Sequence, residues 1–81
     1  MVLIGEYLKE IRIKRKKNLI NISKELNISI SYLQAIENDE YSKIPGGAYT
    51  IGFIRTYANH LNLDSNSIIN EYKEQKNLIE T

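Results

Sequence analysis

Eighty-one residues suffice for one domain and no more. The absence of cysteine rules out a disulfide framework and any cysteine-based zinc site, and no segment reaches the roughly 20 apolar residues of a membrane span. A net charge of +1, in a chain that is 42% hydrophobic and 26% charged, fits an ordinary soluble domain and argues against a surface built mainly to neutralise phosphate.

The first four residues are too short for a signal peptide and run into Glu6, so the expectation is a cytoplasmic chain. Ile4, Leu8 and Ile11, with Tyr7 beside them, recur at helical spacing and predict a first helix from Ile4 to Lys16. Its far end is basic from Arg12 to Lys17. Those cations either complement the helix dipole or contact phosphate. Asn18 is a good N-cap for a second helix with Leu19, Ile22 and Leu26 inward. Asn27 suits the left-handed end of that helix, and Ile28 plugs the turn. Ser29 caps a third helix carrying Tyr32, Leu33 and Ile36, and the small Ser23 allows that helix close approach. Two short helices joined by about three residues must cross steeply, so a helix-turn-helix runs from about Asn18 to Asn38.

From Glu37 to Gly47 the chain reads as a polar connector, pegged to the core by Tyr41 and Ile44. Pro45 holds Ile44 extended, and Gly46-Gly47 permit a sharp turn. Glu37, Asp39 and Glu40 read as solvated loop acids, too few and too close for a calcium loop. A fourth helix follows from about Ala48 to Leu61. At 100° per residue, Ile51, Ile54, Ala58 and Leu61 fall within about 80° and form the core stripe. Tyr49, Phe53, Tyr57 and His60 form a second, aromatic stripe roughly 120° away. It either packs on another helix of the domain or faces a partner, since large rigid rings make good contact anchors. Asp64 caps a fifth helix with Ile68, Ile69 and Tyr72 inward. The chain is polar from Glu74 onward and is expected to fray at its end, with order over about residues 3–75. The expected fold is a single all-α domain, a five-helix bundle containing a helix-turn-helix.

No catalytic set is visible. His60 stands alone, and Gly46-Gly47 lack the pattern of a phosphate loop. No enzyme activity, cofactor or metal is expected. One binding role is DNA reading, with the third helix in the major groove. That helix would offer Ser29, Ser31, Tyr32 and Gln34 to the duplex, with Lys17 on the backbone. It holds no Arg or Lys, and three acids follow it directly, which disfavours that use.

The segments Gly5-Glu6-Tyr7-Leu8-Lys9-Glu10-Ile11-Arg12 and Ile28-Ser29-Ile30-Ser31-Tyr32-Leu33-Gln34-Ala35-Ile36-Glu37 are shared with many repressors. The run Ile44-Pro45-Gly46-Gly47-Ala48-Tyr49-Thr50-Ile51-Gly52-Phe53-Ile54-Arg55-Thr56-Tyr57-Ala58, followed by Leu61-Asn62-Leu63-Asp64, is more specific. Through it, and to about Tyr72, the chain resembles the N-terminal cytoplasmic domain of the RodZ family of bacterial cell-shape proteins, which implies a Cro/repressor-like helix-turn-helix. Lys17 departs from the leucine usual in that group. The resemblance implies an adaptor that binds the actin-like filament protein MreB and ties it to the inner membrane from its cytoplasmic face. A single membrane-spanning segment would follow residue 81 in a longer protein, and the isolated domain would be a monomer. The resemblance also implies that two aromatic residues four apart on the fourth helix, here Tyr49 and Phe53, contact the filament. Tyr57 and His60 would extend that patch, or Tyr57 would turn inward, with Arg55, Lys43 and residues of the third helix on its rim.

Overall fold

Five α-helices and one 3-10 turn make up the computed structural model, which describes residues 2–80, with side chains to residue 78. In chain order these are α1 (Ile4–Lys14), α2 (Leu19–Leu26), α3 (Ile30–Glu37), the 3-10 turn (Tyr41–Lys43), α4 (Gly47–His60) and α5 (Ser65–Glu80). No strand occurs among the described residues, and the fold is the expected all-α helix-turn-helix bundle.

Helix ends explain how so short a chain makes so many turns. α1 to α4 are each followed by a residue with left-handed backbone: Lys16, Asn27, Asp39 and Asn62, at φ 55°, 55°, 55° and 60°. After each one the next amide returns to a carbonyl five residues earlier, at 2.8–3.1 Å. This closure satisfies carbonyls that the helix end would otherwise leave unpaired. Asn and Asp tolerate the left-handed region because a short polar side chain adds little steric cost. Lys16 has no such excuse.

Asn18 caps α2 as its sequence position suggests, accepting from the amides of Ile20 and Asn21 at 2.8 and 3.3 Å. Asp64 does the same for Asn66 and Ser67 at the start of α5. The bond from the Ser67 hydroxyl is the main reason the Asp64 carboxyl lies below its ordinary range. Ser29 occupies the N-cap position of α3 but makes no side-chain cap bond. Only its carbonyl is used, by the amides of Tyr32 and Leu33.

Leu8, Ile22, Leu33, Ile36, Ile54, Ala58 and Leu61 form the centre of the core, each at most 2% exposed. α5 lies along α4 and closes on α1, adding Ile68, Ile69 and Tyr72. Ile44 is buried and Tyr41 sets its ring edge-on against Tyr72 at 4.9 Å, so the connector is pegged where expected. Thr50 is buried as well, its hydroxyl donating to the Gly46 carbonyl at 3.2 Å.

The acids after α3 depart from the sequence expectation. Glu37 and Asp39 are not solvated loop acids. Glu37 is 6% exposed and receives two bonds from the Arg12 guanidinium, at 2.6 and 3.0 Å, and one from the Tyr57 hydroxyl. Asp39 caps α1 from across the fold, accepting from the amides of Gly5 and Glu6 at 3.0 and 3.2 Å. It also accepts from the Tyr41 hydroxyl and the Gln75 amide, at 2.8 and 3.0 Å. α1 needs this cap because Leu3, at its own N-cap, has no side-chain oxygen to offer. α5 continues to Glu80, past the polar boundary near residue 75. Gln75 is buried and accepts from the Ile4 amide at 2.8 Å, which ties this part of α5 to α1.

Tyr41 and Tyr57 are pushed above the ordinary tyrosine value of 10.0, chiefly by burial and then by their bonds to Asp39 and Glu37. The folded chain therefore keeps two phenol protons that the unfolded chain releases near pH 10. Their contribution to stability is complete below that pH and is lost as pH rises above it. The unfolding free energy should fall by up to about 1.4 kcal/mol per pH unit for each tyrosine above about pH 10. Denaturant midpoints across that range, read with tyrosinate absorbance, test it. A midpoint that stays flat while the phenols ionise in the folded state contradicts the burial of these hydroxyls.

Candidate protein-binding site

α4 carries the aromatic stripe, and the packing of α3 decides which part of it stays outside. Of the two alternatives for Tyr57, extending the exposed patch or turning inward, the structure has the second, with the residue 0% exposed. Glu37 on α3 provides its hydroxyl with an acceptor inside the core, so the whole residue can be buried without an unpaired polar atom.

Two turns earlier the stripe faces solvent. Tyr49 is 66% exposed, the most exposed large apolar side chain among the described residues. Its ring stacks on that of Phe53, with centroids 6.3 Å apart and planes at 30°. Phe53 stacks in turn on Tyr32 of α3, at 5.6 Å and 21°. Phe53 and Tyr32 are half-buried, with their inner edges against the core. The result is a row of three rings across the α3–α4 seam, rigid at its inner end and open at Tyr49. Gly52 lies on the same arc of α4, within about 100° of both Tyr49 and Phe53. A methyl group at Gly52 would meet nothing within 4 Å, so bare backbone is exposed beside the rings.

The remaining expected contacts each have a partner within the domain. Lys43 is exposed on the 3-10 turn and pairs with Glu40 at 2.9 Å. Arg55 reaches α5 and donates to the Asn66 side chain at 3.0 Å. His60, at the far end of α4, lies 3.5 Å from Glu25 of α2. The structure thus brings Tyr49 and Phe53 together and adds Tyr32, which the sequence reading named only under the disfavoured DNA alternative, while allowing residues of the third helix on the rim. Periodicity along one helix contains no signal for that pairing, because the partner ring comes from a different helix.

As a groove reader the domain is poorly equipped. Ser29, Ser31 and Gln34 are exposed on α3, but Tyr32 is drawn into the ring row and no cation lies on the helix. Lys17 is half-buried, and its carbonyl accepts from Arg12 at 3.0 Å. The repulsion expected from the three acids is weaker than the sequence suggested. The Glu37 charge is held by Arg12, and Asp39 is occupied by hydrogen bonds. What disfavours groove binding is the lack of a basic residue on the exposed side of α3.

Comparison with known proteins bears on this site. Residues 7–68 match the model of a helix-turn-helix domain family. Over 69 residues, 85% of this chain, the sequence is 32% identical to the cytoskeleton protein RodZ of Streptococcus pneumoniae. The aligned part is 25% of that protein, so the chain spans about a quarter of the length of this relative. No solved structure matches the chain. With the helix-turn-helix geometry and both matches in agreement, the chain belongs to the helix-turn-helix domain family and is RodZ-like within it.

Proposed function

We propose that this domain is a cytoskeletal adaptor module that binds an actin-like filament protein of the MreB type through the row Tyr49, Phe53 and Tyr32. The observation that carries the reading is Tyr49, a large ring 66% exposed yet braced by stacking on Phe53. A braced ring loses little entropy when a partner covers it, which is the property of an anchor. The likeness to a protein named for the cytoskeleton supports the choice of partner. No helix among the described residues is long and apolar enough to cross a membrane. In this reading the anchor lies elsewhere in a longer protein and holds the domain, itself monomeric, on the cytoplasmic face of the inner membrane. The domain acts by binding and not by catalysis.

Co-pelleting with polymerised MreB tests it. Tyr49→Ala should lower binding about 30-fold, the loss of about 2 kcal/mol typical of one anchor, with the helical circular dichroism unchanged. Phe53→Ala is a weaker probe, because Phe53 also packs on the core. Gly52→Ala separates fold from function. It should raise stability by about 0.5–1 kcal/mol, since a mid-helix glycine is replaced where space is open, while weakening filament binding by crowding the exposed backbone. If Tyr49→Ala and Gly52→Ala both pellet like the parent, the contact surface is wrong. Tight, sequence-selective duplex binding with a steep salt dependence would instead favour a transcriptional regulator.

A further inference from the structure

The corner between α1 and α2 gathers cations that the fold leaves unused. Lys14, Arg15 and Lys16 are exposed and Lys17 is half-buried. None of the four pairs with a carboxylate among the described residues. The whole chain carries only +1, so the rest of it is net negative and the positive charge is local. The helix dipole explains Lys14 and Arg12 in the last turn of α1, but Arg15, Lys16 and Lys17 lie beyond that helix. Backbone closure winds them into one tight turn, with the Lys16 and Lys17 amides returning to Ile13 and Arg12 at 2.9 and 3.1 Å. Arg12 pins the turn through the Lys17 carbonyl while its own charge is committed to Glu37.

Two large apolar side chains flank this turn, Ile13 at 55% exposure and Ile20 at 52%. Neither is needed by the core. Cations interleaved with exposed aliphatic side chains suit the surface of an anionic bilayer, where ammonium and guanidinium groups meet phosphate and the aliphatic groups enter the acyl boundary. A duplex would satisfy the cations alone and leave both isoleucines in water.

We propose that the α1–α2 corner docks on anionic phospholipid, with Lys14, Arg15, Lys16 and Lys17 on the headgroups and Ile13 and Ile20 inserted between them. The surface shares no residue with the ring row on α3 and α4, so this proposal and the filament reading fail separately.

Sedimentation of the 81-residue chain with vesicles tests it, using phosphatidylcholine containing about 30% phosphatidylglycerol beside phosphatidylcholine alone, at low and high salt. Binding is expected only to the anionic vesicles, and is weaker at high salt. Lys16→Gly should lower it about fivefold, the share of one cation at such a surface, while raising the thermal midpoint because glycine relieves the left-handed backbone. Those opposite movements distinguish lost contact from lost fold. Ile13→Ser with Ile20→Ser should weaken binding at both salt concentrations. The proposal is overturned by no binding to anionic vesicles, by equal binding to both kinds, or by variants that bind like the parent. Binding of duplex DNA without binding of vesicles would overturn it in favour of nucleic acid.

Discussion

Replacing Glu37 with alanine should cost the domain about 3–5 kcal/mol, most of the stability that a chain of this size is expected to have. The Glu37 side chain is 4% exposed and its Arg12 partner 14%, and the two form a bidentate pair. Removing the carboxylate strands a guanidinium in the interior and leaves the buried Tyr57 hydroxyl without its acceptor. Arginine stays protonated at any ordinary pH, so Arg12 cannot shed its charge to relieve the loss; in the parent the bond to Glu37 raises its pKa further. Glu37→Gln keeps an acceptor for Tyr57 but not the charge, and should fall between the parent and Glu37→Ala. An apolar set, Arg12→Met with Glu37→Leu and Tyr57→Phe, should recover much of the loss, because desolvation of the pair is removed along with it. Urea denaturation followed by circular dichroism measures all three. A loss below about 1 kcal/mol in Glu37→Ala would show that water reaches Arg12. The same network joins α1, α3 and α4, and so sets the spacing across which Tyr32 meets Phe53. Partial loss of fold should therefore appear as loss of the ring row before loss of helix.

Gly5→Ala should be nearly as damaging. A methyl group there would stand 1.8 Å from the Ile36 carbonyl oxygen and 2.8 Å from both carboxylate oxygens of Asp39. The nearest obstacle is backbone, which cannot swing aside as a side chain could. α1 must move off α3, and the move breaks the cap that Asp39 places on the amides of Gly5 and Glu6. Overpacking of this kind costs about 1–3 kcal/mol, and the lost cap about 1 more. The expected loss is about 3 kcal/mol, read from the denaturant midpoint. Gly52→Ala, with open space at the new methyl, is the control of opposite sign. A neutral Gly5→Ala would mean that α1 and α3 are packed less closely than the structure has them. The two substitutions look alike on a helix wheel and differ only in what lies across from them.

Some of this was legible in the residues alone. Helix positions, the Asn18 and Asp64 caps, the Asn27 turn and the pegs Tyr41 and Ile44 follow from local chemistry: spacing, side-chain oxygens and tolerance of left-handed backbone. So does the aromatic stripe of α4 as a set of residues on one side. Which of those residues remain outside does not follow. Tyr49 and Tyr57 have the same type of ring on the same helix, and Tyr57 is buried only because Glu37 and Arg12 arrive from two other helices.

The helix-turn-helix itself was determined by the sequence, since two short capped helices with three residues between them have few ways to cross. The roles of the acids after it were decided by tertiary structure. Glu37 and Asp39 carry the charge of surface residues, and nothing within a few positions of either neutralises it. Apart from the Tyr41 hydroxyl, two residues from Asp39, their partners lie 20–36 residues away along the chain. Burial of a charge depends on a partner brought from a distance, and only the folded chain brings it.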